Sequence, residues 1–123
     1  RMTNMGEPFK INIFNVINSP FCIAPEDGHK IYELIVGALK EDKPVQLSFL
    51  NITMVITAFL NEAIGVLYKD FTPEMIDKIE YLDVSEDLRE SFDASLDKVK
   101  SGAPIYYRHQ QELDESTENI LGE

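Results

Sequence analysis

Cys22 and His29 stand seven positions apart, and a thiol beside an imidazole is a pairing that can serve as a nucleophile and its base. Nothing in the surrounding sequence supplies a third group to orient the histidine. Cys22 lies in SPFCIAP among apolar neighbours, where a lone cysteine ordinarily packs as a small buried side chain. The second histidine, His109, is eighty residues from the first, so a soft-metal site would have to recruit carboxylates, and no metal is expected. The chain contains no GxGxxG, GxxxxGK[ST], CxxC or HExxH, which leaves dinucleotide, P-loop and common zinc chemistry without a sequence basis. No cofactor is expected. The acidic clusters EDG and SED fall at helix starts, where they complement the helix dipole, and ELDE falls near the C-terminal end.

A different kind of chemistry is available at Thr57. The stretch VQLSFLNITMVITAFLNEAIGVLY, residues 45 to 68, has no basic side chain and one acidic one, in a chain of formal net charge -11. Thr57 carries its only hydroxyl between Met54 and Tyr68, at the seam between an extended segment and a helix. A helix start leaves backbone N–H groups unpaired, and a Thr hydroxyl there can accept from one of them as a plain N-cap. The same place stabilises a phosphate on that hydroxyl. Both readings stay open on the sequence. Beyond Thr57, Ala58, Asn61, Glu62, Gly65 and Lys69 recur three, four or seven apart, and predict an exposed strip of mostly small residues suited to docking.

These residues need elements to hold them. KINIFNVI (10 to 17) reads as a strand apolar on both faces. SPFCIAPEDG reads as a loop held by two prolines. Ile31, Leu34, Ile35, Ala38 and Leu39 follow helical spacing, with Glu26 and Asp27 at the start and Lys40 at the end, and Pro44 beyond disfavours helix at Lys43. VQLSF (45 to 49) alternates as a second strand, and a helix is predicted over 57 to 69. Thr72 and Pro73 predict a short capped turn, DKIEYLDV (77 to 84) a third strand, and Ser85 the cap of a helix over 85 to 100 with Leu88, Phe92, Leu96 and Val99 on one face. APIYYRH predicts an edge strand, and residues 109–123 an acidic, aperiodic and mobile tail. Alternating strands and helices imply one α/β domain over residues 8–108, with a mixed, partly parallel sheet and helices packed on it.

Composition narrows the partners. Twenty-two Asp and Glu against eleven Lys and Arg would repel a phosphate backbone, so neither nucleic acid nor an anionic membrane is expected. No run of 18 apolar residues exists, and RMTNMGEP lacks the charged-then-apolar layout of a signal peptide. A lone cysteine agrees with a reducing compartment, and the expected location is the cytoplasm.

A strand ending in LSF, the turn LNIT, then VITAFLNEAIGVLY and IEYLDVSEDLRESFDASLDKV resemble the bacterial STAS-like domains of unknown function, relatives of the fold of anti-sigma factor antagonists. The resemblance implies a non-enzymatic regulatory module. In anti-sigma factor antagonists a Ser or Thr at the start of the helix after a central strand is phosphorylated by a histidine-kinase-like ATPase, which breaks one complex and frees another. Thr57 matches that position, and Ala58, Asn61, Glu62 and Gly65 become candidate contacts for an ATPase of that type or an anti-sigma factor. Ser48 stands where such domains commonly carry Asp, and Ile56, Thr57, Ala58 where they commonly carry Asp, Ser, Ser. Two other classes compete with this reading: a small enzyme built on Cys22 and His29, and a structural assembly protein.

Overall fold

The computed structural model describes residues 7–121, with side chains described through residue 113. The elements are β1 (Phe9–Asn12), α1 (Ile13–Ile17), β2 (Phe21–Cys22), α2 (Pro25–Lys40), β3 (Val45–Ser48), β4 (Met54–Val55), α3 (Thr57–Ala63), a 3₁₀ turn (Gly65–Lys69), α4 (Pro73–Asp77), β5 (Glu80–Leu82) and α5 (Glu86–Leu121). The α/β class with helices packed on a sheet is as expected. β1, β3 and β5 form a parallel sheet with β3 in the centre, registered Ile11 to Leu47 and Leu47 to Tyr81. Parallel neighbours need crossovers, and helices supply them: α2 lies between β1 and β3, and α3 and α4 lie between β3 and β5. β2 and β4 form a separate parallel pair.

The first difference from the sequence reading is at residues 13 to 17. The strand stops at Asn12, whose side-chain oxygen accepts a hydrogen bond from the Asn15 N–H at 3.1 Å, and a short helix follows. Asn18 ends that helix in the left-handed region at φ 57°, a conformation Asn tolerates better than most residues. Apolar residues on both parities therefore mark a helix onset, with Ile13 and Ile17 buried one turn apart.

α2 begins with Pro25 at its first position and buries Gly28, Ile31, Ile35 and Ala38. Gly28 is where it meets α3: a Cβ there would stand 2.6 Å from the Phe59 carbonyl oxygen and 3.0 Å from Glu62 Cβ. The helix predicted over 57 to 69 divides at Gly65, where the α-helix gives way to the 3₁₀ turn. The third strand is shorter than predicted at both ends: α4, capped by Thr72 accepting from the Met75 N–H at 3.2 Å, takes residue 77 with Lys78 as its C-cap, and Asp83 at φ 61° ends the extended run after Leu82.

α5 is the largest difference. Ser85 caps it as predicted, accepting from the Leu88 N–H at 3.2 Å, but the helix does not stop at residue 100. The edge strand predicted from APIYYRH is helical, and the backbone stays helical through Leu121, across the boundary at 109 beyond which an irregular tail was predicted. Residues 122 and 123 lie outside the described residues. The physical reason is a stripe that runs past the helix breakers: Leu88, Phe92, Leu96, Val99, Ala103 and Tyr107 recur three or four apart, and Leu88, Phe92, Val99 and Ala103 are buried. Packing of that stripe outweighs Gly102 and the interior Pro104.

The core joins the sheet to α2, α3 and α5, and includes Phe49, Phe59 and Phe92. Phe92 stands edge-on to Phe49 at 4.9 Å and to Tyr81 at 5.7 Å between ring centroids. At the end of β3, the buried Ser48 hydroxyl donates to Asp83 Oδ2 at 2.6 Å and accepts from the Leu50 N–H at 3.3 Å, tying the turns after β3 and β5 together. Asp83 and Asn51 hold φ of 61° and 66° in those turns. Among the described residues no helix is long and apolar enough to cross a membrane.

Candidate functional site

Cys22 and His29 are not assembled into a reactive pair. Cys22 is fully buried on β2, and its thiol is pushed up to about 12, first by burial and then by the Asp27 carboxylate. His29 lies exposed on α2, with Nε2 3.3 Å from Glu33 Oε2 and its ring stacked on Tyr32. The thiolate is the nucleophilic form, and this environment opposes it. Alkylation of Cys22 in folded protein should accordingly be slow and approach the free-thiol rate only in denaturant. The sign of the pH effect follows. The thiol is protonated in both states below its ordinary value of 9.0; between there and about 12 only the unfolded state ionises, so stability is lost as pH rises through that window. Urea unfolding at about pH 8 and about pH 10.5 should show this loss, and Cys22→Ala should diminish it.

Thr57 is not the N-cap of α3. Ile56 occupies that place in extended conformation, its carbonyl accepting from the Phe59 and Leu60 N–H groups, and no side chain caps the helix. Thr57 is the first helical residue, half-buried, and its hydroxyl donates to Ser95 Oγ on α5 at 3.1 Å. The Thr57 hydroxyl therefore bridges two helices.

The strip that follows it is divided. Ala58 and Asn61 are exposed, and Glu62 is half-buried. Gly65, predicted to lie on the surface, is buried: a Cβ on it would come within 3.4 Å of Val99 Cγ1 and 3.6 Å of Ala103 Cβ. The absence of a side chain there serves the approach of α5.

What α5 leaves open beside that contact is a groove of about 430 Å³. Thr57, Asn61, Glu62 and Gly65 line one side, and Lys98, Gly102, Ala103, Tyr106 and Tyr107 the other. The Tyr107 phenol is held above its ordinary value by partial burial and then by Tyr106, Glu62 and Tyr32, and its ring stands edge-on to Tyr106 at 4.9 Å between centroids. A groove with an amide, a carboxylate, one ammonium group and two tyrosines around a floor of small residues offers contacts for a protein side chain or turn. Of Thr57 and the five strip residues singled out from the sequence, four line it, and Ala58 and Lys69 do not. The α5 side was missed. Its signal was present in the stripe continuing from Val99 through Ala103 to Tyr107.

Among the described residues no group of three or more His, Cys, Asp or Glu is placed to hold a metal ion. Residues 27–89 match the model of the STAS-like domain of unknown function (DUF4325), just over half of the 123 residues. The chain belongs to this family. Comparison with curated proteins and with solved structures returned no match. A regulatory, protein-binding role is the general one that membership of a STAS-like family supports. The matched segment of this STAS-like domain runs from α2 into the first residues of α5. It therefore includes the Thr57 side of the groove, whereas the side built by Lys98 to Tyr107 lies beyond it.

Proposed function

We propose that the chain is a non-enzymatic regulatory module that docks a protein partner at the start of α3 and along the α3–α5 groove, with Thr57 as its phosphoacceptor. The observation that carries this reading is the Thr57 hydroxyl, half-buried at the edge of the groove and bonded to Ser95 across the helix interface. A phosphate ester on that oxygen has no proton to donate to Ser95. It would also bring a charge of about -1.5 to -2 into an interface now held by a neutral hydrogen bond. The cation of Lys98 lines the same groove. Docking and modification would thus compete for one place. The partner that the family resemblance suggests is a histidine-kinase-like ATPase or an anti-sigma factor.

The test uses substitutions that leave packing intact. Gly65 is unsuitable, since it is buried and a Cβ there already stands in contact with Val99 and Ala103, which leaves no room for a bulky charged side chain. Ala58 and Asn61 are exposed. Ala58→Arg and Asn61→Arg should each lower capture of the partner by about tenfold or more, about 1.4 kcal/mol, with the melting temperature unchanged. Full capture by both variants would remove the docking site from α3.

A further inference from the structure

β2 and β4 pair in parallel, Phe21 opposite Met54 and Cys22 opposite Val55. Successive side chains on a strand point to opposite faces, so Cys22 and Val55 turn into the core while Phe21 and Met54 turn away from it. Ile23 and Ile56 continue the outward row, since the Ile56 N–H donates to the Cys22 carbonyl and keeps the two chains in register. Phe21 is 46% exposed, Ile23 42%, Met54 46% and Ile56 38%. They form an apolar patch on a strand pair, of the size that on a folded monomer often has a use. The segments that build it, residues 11–24 and 44–61, contain no charged side chain, although the chain as a whole has a formal net charge of -11.

We propose that this face docks an extended apolar segment of a partner protein flanked by lysine or arginine. Two arguments select this occupant. Four partly exposed side chains offer a few hundred Å² at most, well short of the roughly 800 Å² per partner that a stable folded interface buries. A strand-like segment, setting alternate side chains on Phe21, Met54, Ile23 and Ile56, fits that area. Charge decides between occupants: a second copy would bring -11 against -11, whereas cationic flanks are attracted by the acidic molecule around a neutral patch. None of the four residues lines the groove; Ile56 adjoins the proposed docking site as the N-cap of α3, so the variants that test the patch are taken from Phe21 and Met54, which the docking role of α3 does not use.

Selection of displayed random dodecapeptides on the full chain tests it. Enriched sequences should combine alternating apolar residues with net positive charge. They should bind Phe21→Ser and Met54→Ser at least about tenfold more weakly than the parent, and more weakly at high salt, while both variants melt as the parent does. Enriched peptides that bind the two variants as well as the parent would overturn the proposal, as would selection that enriches nothing. Self-association of the parent that Met54→Ser abolishes would overturn the choice of occupant in favour of a second copy.

Discussion

Phe92→Ala should destabilise the domain by about 3–5 kcal/mol, the range for deleting a fully buried aromatic side chain. Phe92 is 1% exposed and reaches both Phe49 on the β3 side and Tyr81 on β5, so its loss opens a cavity between α5 and the sheet. Phe49 is itself buried in the same cluster and packs against Tyr81 at 6.5 Å. A domain with about 5–15 kcal/mol of total stability would lose a large fraction of it. Urea unfolding monitored by circular dichroism should show a marked drop in midpoint with little change in slope. A loss below about 1.5 kcal/mol would mean that α5 does not pack on the sheet as described.

Two glycines of one helix should respond to alanine with opposite signs. In an open helical position Gly→Ala gains about 0.5–1 kcal/mol, because glycine loses more backbone freedom on folding. Gly37 is such a position, exposed on α2 with nothing within 4 Å of an added Cβ. At Gly28 the added methyl would stand 2.6 Å from the Phe59 carbonyl oxygen, and backbone cannot give way as a flexible side chain can. Gly28→Ala should cost about 1–3 kcal/mol or more by forcing α2 away from α3. Paired thermal melts of the two variants give the comparison. Equal shifts of one sign would contradict the close crossing that sets α3, and with it Thr57, in place.

Much of this scaffold was legible in local chemistry. The α2 helix with Ile31, Ile35 and Ala38 buried, the Thr72–Pro73 start of α4 and the Ser85 cap of α5 each rest on interactions within a few residues and appear where the spacing put them, although Leu34 of the α2 stripe is exposed. β3 was legible because Val45 and Leu47 alternate with Gln46, whose amide reaches Glu80 on the neighbouring strand at 2.9 Å. Misreadings occurred where one pattern served two structures. Apolar residues on both parities at 13 to 17 fitted a covered strand, yet Asn12 and Asn18 cap a short helix there. A helix was predicted to end at residue 100 and an edge strand to follow in APIYYRH, but tertiary packing of Val99 and Ala103 carried the helix on through Gly102 and Pro104.

The candidate site shows the same limit more sharply. Helical periodicity placed Asn61, Glu62 and Gly65 on one strip, and they do line one side of one groove. Periodicity does not say what covers a strip. Small residues admit a close neighbour of any origin, and at Gly65 the neighbour is the chain's own α5. Thr57 likewise looked like a cap because hydroxyls at helix starts usually are; its partner, Ser95, is 38 residues away and came into reach only through the fold.

The central claim, that Thr57 is a modifiable part of a partner-docking site, is tested most directly by capture on the full chain from a native lysate, with and without ATP, reading the bound proteins and the mass of the Thr57 peptide together. The account predicts an ATP-binding protein retained without ATP, and, with ATP, the gain of one phosphoryl group at Thr57 together with loss of that protein or exchange for another. Capture and release that proceed unchanged with Thr57→Val, and with the Thr57 peptide unmodified, would contradict it and leave Thr57 as a structural bridge between α3 and α5.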